Sequence, residues 1–341
     1  MGDSKKLLEV KDLSIYFQGK QALDRAVDHV SFSLDAGQTL GIVGESGSGK
    51  SVTALSIMQL LPIPPAKIDS GEILFEGENL LKKNARQMQD VRGHKIAMIF
   101  QEPMTALNPL LTIGEQIMES LMTHLKMSKD QARERAIEML RKVEIKNPEE
   151  RVDSYPHQLS GGMRQRVMIA IALSCDPSLL ICDEPTTALD VTTQAQILDL
   201  INKLKEDFNT SVIMITHDLG VVSKVSENVL VMYKGRVVEY GSVEAIFENP
   251  LHPYTRSLLA AIPDVSNRQA RIELVHQAVK NDDLSLTTGD NIFDRATYQA
   301  RINAEESALV EQEPGHFVRI FKNEWSSQAQ DQAMKAGESD E

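Results

Sequence analysis

The sequence predicts an α/β fold around a largely parallel sheet, and three observations carry that prediction. Apolar runs at residues 39–43, 179–182 and 211–216 have the length and composition of strands buried on both faces. A glycine-rich turn at residues 44–51 joins the first run to a helical segment. Helical patterns then alternate with strands, the order expected of a parallel sheet crossed over by helices.

The elements follow in chain order. Residues 8–17 and 26–34 alternate apolar and polar side chains and read as two strands of an N-terminal antiparallel part. Asp35-Ala36-Gly37 turns the chain into the run 39–43. A helix is expected over residues 52–61, ended by Pro62, Pro64 and Pro65. Strand character returns over 71–80 and at 96–100. A mostly helical insert is expected between residues 108 and 155, continuous in pattern over 112–143, inside a helical subdomain spanning residues 108–175. A helix over 162–172 leads to the strand 179–182, and a helix over 192–208 leads to the strand 211–216. A final strand pair, 229–233 and 237–240, turns at Lys234-Gly235. Residues 1–262 read as one domain without internal repeat and 263–341 as a C-terminal extension. The small, polar and acidic end of that extension, 328–341, is expected to be disordered.

Composition narrows the function. The formal net charge of −13 argues against a general nucleic-acid coat, which needs clustered Lys and Arg. Cys175 and Cys182 lie in an apolar stretch and read as buried small hydrophobes in a reducing compartment. Residues 1–10 carry two lysines but no apolar leader core. No window approaches the about 18 apolar residues of a membrane span. Any membrane role is therefore expected to be peripheral, from the cytoplasmic side.

Gly44-Glu45-Ser46-Gly47-Ser48-Gly49-Lys50-Ser51 fits the phosphate-loop pattern, with the strand before it and the helix after it that the pattern demands. Its glycines let backbone N–H groups turn inward at phosphate oxygens, and the helix N-terminus favours the anion. Lys50 is expected to reach the β and γ phosphates of ATP, and the Ser51 hydroxyl to ligate Mg²⁺. The strand 179–182 stops at two acids, Asp183 and Glu184, ahead of Pro185. Carboxylates at a buried strand end call for a compensating cation, so Asp183 is expected to hold Mg²⁺. Glu184, pointing elsewhere, would orient or deprotonate an attacking water. His217, at the end of the strand 211–216, would hydrogen-bond the γ-phosphate or that water.

Leu159-Ser160-Gly161-Gly162-Met163, followed by Arg164-Gln165-Arg166, resembles the signature sequence of ABC ATPases. With the phosphate loop, the acid pair, Ala188-Leu189-Asp190 and His217, it matches that family's motif set in order over residues 7–262. The resemblance implies a P-loop NTPase fold of ABC type, with a helical subdomain and an antiparallel N-terminal part. It also implies an ATP-hydrolysing subunit in which Ser160, Gly161, Gly162 and Asp190 serve the nucleotide held by another subunit's phosphate loop. Gln101 resembles the family's glutamine that touches Mg²⁺ and relays nucleotide state, and Phe17, or alternatively Tyr16, would stack on adenine.

A narrower resemblance rests on Phe100-Gln101-Glu102-Pro103-Met104-Thr105-Ala106-Leu107-Asn108-Pro109, on Tyr155-Pro156-His157-Gln158 and on His252-Pro253-Tyr254-Thr255. These are similar to oligopeptide and dipeptide importer ATPases. They imply two permease membrane subunits, a second and non-identical ATP-binding subunit, and an extracytoplasmic peptide-binding protein. Nickel importers share the motifs, so nickel or another small solute is the alternative cargo. A soluble ABC ATPase of DNA repair or the ribosome would carry a long coiled-coil insert or two ATPase domains, and neither pattern occurs here. The subfamily often holds an iron–sulfur centre on C-terminal cysteines, but this chain has no cysteine after Cys182, so none is expected. His316, in Gly315-His316-Phe317-Val318, is then read as a surface residue.

Overall fold

The computed structural model describes residues 6–18, 23–101, 106–187, 189–260, 298, 301 and 307–321. Residues 102–105, Ala188, 261–297 and the tail expected to be disordered lie outside the described residues. The chain divides into two compact units: Met1–Leu40 with Ser51–Thr216, and Gly41–Lys50 with His217–Glu341.

In the first unit, strand Lys6–Gln18 sits between Leu23–Asp35 and Ala66–Phe75, all antiparallel, with the short strand Glu78–Asn79 at the edge. The expected alternation of the first strand breaks in its middle. Pairing slips between Val10 and Leu13, Asp12 adopts a positive φ, and Leu13, Ser14 and Ile15 are buried in succession. Such a bulge sends successive side chains to one face. The strand expected over 71–80 begins earlier, at Ala66, and turns at Gly77 before a short helical turn at Leu80–Lys82.

The same unit holds three parallel strands, Ile96–Ile99, Leu179–Asp183 and Ser211–Thr216, paired in that order. Every residue of the last two is buried, which is why each reads as an unbroken apolar run. Helical insert and strands alternate as expected, with two corrections. The pattern over 112–143 is two helices, Ile113–His124 and Lys129–Lys142. Ser128 stops the run by capping the second helix, where it exchanges bonds with Gln131 as Thr112 does with Glu115 in the first. The helix after the phosphate loop ends at Ile57 rather than near Leu61, because Gln59 turns to a positive φ and the Arg92 guanidinium binds the Met58 and Gln59 carbonyls. Cys175 and Cys182 are buried as expected.

In the second unit, four antiparallel strands run in the order Ser307–Glu313, His316–Phe321, Arg236–Ser242, Asn228–Tyr233. Val43, Val222, Val231, Val238 and Tyr254 share its core. The outer hairpin comes from the C-terminal extension, and this overturns the surface reading of His316. That residue is 1% exposed, with Nε2 2.8 Å from Glu239 Oε1. The strand His316–Phe321 is buried along nearly its whole length, with Val318, Ile320 and Phe321 in the interior, and it carries His316 inward with it. Among the described residues, no helix is long and apolar enough to cross a membrane.

Candidate active site

The phosphate loop leaves the fully buried strand Thr39–Val43 and enters the helix Lys50–Ile57. Gly44, Gly47 and Gly49 all have positive φ, at 151°, 78° and 102°. Gly44 has no room for a side chain: a Cβ there would collide with the Met232 carbonyl oxygen. Lys50 is buried, and its ammonium donates to Gly44 O at 2.7 Å and Glu45 O at 2.9 Å. The lysine thus lies across its own turn, with its charge held by two carbonyls of the loop.

Ser51, the next residue, donates its hydroxyl to Asp183 Oδ1 at 3.0 Å. Asp183 ends the buried strand Leu179–Asp183 and is 8% exposed. Beside it, burial and then the Asp183 charge push the Cys182 thiol far above its ordinary pKa, so that sulfur is inert. Glu184 has φ 47°, a left-handed backbone that costs a non-glycine residue about 1–3 kcal/mol. This turn at the strand end parts the two acids. Glu184 Oε2 accepts from Gln101 Nε2 at 3.0 Å and from Thr187 Oγ1 at 2.9 Å, while its N–H donates to Ile215 O. Gln101 and Glu184 thus meet, and Ser51 meets Asp183. His217 is exposed and follows the strand Ser211–Thr216.

The signature segment is a helix start. Ser160 caps Gly161–Leu173, accepting from the Met163 N–H at 3.4 Å. Gly161 faces open space, so its backbone can be approached closely, whereas a Cβ on Gly162 would press on Thr193. Asp190 caps Val191–Phe208. Bonds from the Thr193 N–H, then from its hydroxyl, hold the Asp190 carboxyl below the usual carboxylate range. Phe17 is half-buried, and Arg25 covers one face of the alternative, Tyr16, at 5.4 Å.

The donor set fits a hard cation held mainly by phosphates and water. Ser51 and Asp183 offer two oxygens, and among the described residues no group of three or more His, Cys, Asp or Glu forms a cage.

The ABC transporter family model matches residues 27–187, and the model of the oligopeptide/dipeptide transporter C-terminal region matches residues 238–289. The chain is 51% identical over 319 residues to a probable peptide ABC transporter ATP-binding protein of Sinorhizobium fredii, covering 93% of this chain and 95% of that one. It is 50% identical to the oligopeptide transport ATP-binding protein OppD of Bacillus subtilis, over 93% of this chain and 88% of that one. The chain belongs to the ABC transporter ATP-binding proteins. A solved dimeric ATP-binding cassette bound to ADP and phosphate is similar to this ABC ATPase, with a TM-score of 0.62 and 30% identity, over 69% of this chain and 98% of that one. The expected fold and ATPase class therefore stand.

Sequence reasoning missed three residues that hydrogen-bond the candidate site residues of this ABC protein. Thr187 supports Glu184 and Thr193 supports Asp190, each three positions on, a spacing visible in the sequence. Tyr254, whose hydroxyl accepts the Glu45 N–H at 2.9 Å, lies 209 residues away; the motif His252-Pro253-Tyr254-Thr255 marked it without pointing to this contact.

Proposed function

We propose that this chain is the ATP-hydrolysing subunit of an importer of oligopeptides or dipeptides, seated peripherally at the cytoplasmic face of the membrane. Its partners in this reading are two permease subunits and a second, non-identical ATP-binding subunit, with an extracytoplasmic peptide-binding protein delivering cargo. Relatives named for oligopeptide and dipeptide transport, together with the matched C-terminal region, support the cargo.

The observation that carries the ATPase reading is the 3.0 Å contact of Ser51 with Asp183 beside a Glu184 turned away from it. In this reading the loop N–H groups of residues 44–51 and Lys50 cradle the phosphates, and Phe17 stacks on adenine. Ser51, Asp183 and Gln101 would hold Mg²⁺, which when bound offsets phosphate charge. Glu184 accepts a proton from water as that oxygen attacks the γ-phosphorus, the bond to the β–γ bridging oxygen breaks, and ADP and phosphate leave. Gln101 and Thr187 orient the Glu184 carboxylate for this step, and His217 donates to the γ-phosphate oxygens. Ser160, Gly161, Gly162 and Asp190 complete the site of the partnering subunit.

Glu184→Gln should keep ATP binding and slow turnover by about 100-fold or more, the size of a lost general base. Hydrolysis at the wild-type rate would remove Glu184 from its role. Affinity capture from solubilised membranes should bring down two multispanning chains and a second ATPase; capture of neither would overturn the importer reading.

A further inference from the structure

Behind the phosphate loop lies a run of buried polar contacts that the hydrolytic chemistry does not use. It starts at one peptide group. The Gly44 carbonyl accepts the Lys50 ammonium at 2.7 Å, and the Glu45 N–H of the same peptide donates to the Tyr254 hydroxyl at 2.9 Å. In a planar trans peptide the C=O and N–H point in opposite directions. Whatever holds the N–H therefore sets the direction of the carbonyl on which Lys50 docks.

Tyr254 is fully buried, its ring 4.5 Å from that of Tyr233. Its own N–H donates to His252 Nδ1 at 3.1 Å. His252 is buried as well, and burial, then Arg319 and Arg256, push its pKa down to about 3, so the ring is neutral. A neutral imidazole accepting at Nδ1 carries its hydrogen on Nε2, which then donates to the Tyr298 hydroxyl at 2.8 Å. The Leu251 and His252 N–H groups donate to the two oxygens of Glu239, at 2.7 and 3.0 Å. His316, from the C-terminal hairpin, closes on Glu239 Oε1.

We infer that Tyr254 is a positioning residue of the nucleotide site. Its hydroxyl oxygen clamps the Gly44–Glu45 peptide and so aims Lys50, and it is held in turn by His252, Glu239 and the His316 hairpin. This rests on the loop 44–51 being the ATP cradle. It assigns the C-terminal extension a task within its own chain, because the hairpin anchors the far end of the clamp.

The test is isothermal titration of the full-length chain with MgATP, paired with steady-state turnover of its transporter complex. Wild type should bind and Lys50→Ala should not; if wild type fails to bind, the cradle reading falls first. Tyr254→Phe keeps the ring and removes only the hydroxyl, and with it the acceptor for the Glu45 N–H. Its Kd and KM for ATP should rise about 5- to 10-fold, the effect of one lost buried hydrogen bond, with kcat at saturating ATP within about 2-fold. A merely structural defect would instead lower the fraction of binding sites and kcat at unchanged Kd, and that result overturns the proposal, as does an unaltered Kd in folded protein. Glu239→Gln, which disturbs the support of His252, should raise Kd in the same direction, and the double variant should add less than the sum of the two. Full additivity would sever Glu239 from the clamp. Should Tyr254→Phe yield no folded protein, Tyr298→Phe, which strips the outer partner of His252, must raise Kd, and wild-type affinity there overturns the proposal.

Discussion

Glu239→Gln probes a heavily loaded buried carboxyl in the second unit. Glu239 is fully buried and accepts from three donors: His316 Nε2 and the Leu251 N–H on Oε1, and the His252 N–H on Oε2. A glutamine has one oxygen to offer. Placed at the Oε1 position, that oxygen satisfies two donors, and the amide –NH₂ then meets the His252 N–H, donor against donor. The opposite orientation abandons two donors, so the first is preferred. One buried N–H without a partner costs about 1–3 kcal/mol, and the other two bonds lose their charge assistance. We expect destabilisation of about 2–3 kcal/mol. With a urea m-value of about 2 kcal/mol per molar, the unfolding midpoint should fall by about 1 M, read by far-ultraviolet circular dichroism. A midpoint within about 0.2 M of wild type would mean that the carboxyl does not serve three donors, and the argument for the clamp's anchor would go with it.

Two further predictions concern the same unit. His252 has a depressed folded pKa, so the unfolded chain binds more protons below the ordinary histidine value of about 6.5; the stability from keeping this ring neutral is complete above that value and is lost as pH falls towards about 3. At pH 5 the loss is about 2 kcal/mol, so the stability advantage of wild type over His252→Asn, from urea unfolding, should shrink by that amount between pH 7.5 and 5; a pH-independent difference would refute it. Gly44→Ala forces a Cβ against the Met232 carbonyl at φ 151°, and should cost about 1–3 kcal/mol and weaken ATP binding more than 10-fold by titration calorimetry. Wild-type melting and affinity in that variant would show that the turn has slack.

The strands were legible wherever burial is two-sided. Residues 39–43 and 211–216 were bounded to the residue, and 179–182 fell one short, at the point where Asp183 breaks the apolar run while keeping strand backbone. Local pattern failed where the backbone changes without a change of composition. The slip near Asp12 and the left-handed turn at Gln59 place polar residues where a regular element would also accept them. The break between the two insert helices had a signal, a Ser128 to Gln131 cap, hidden inside an otherwise continuous helical pattern. His316 failed for another reason: its environment is made by Glu239, 77 positions earlier.

By itself the sequence determined the pieces that a few consecutive residues build, such as a curled loop of N–H donors, two acids at a strand end and a capped glycine helix start. Backbone conformation and adjacent side-chain chemistry are local, so they are written locally. Tertiary structure alone decided which piece each group meets: Ser51 with Asp183 across 132 residues, Gln101 with Glu184 across 83, and Glu45 with Tyr254 across 209. A hydrogen bond is set by distance in space, and only the folded chain brings groups so far apart in sequence to within 3 Å.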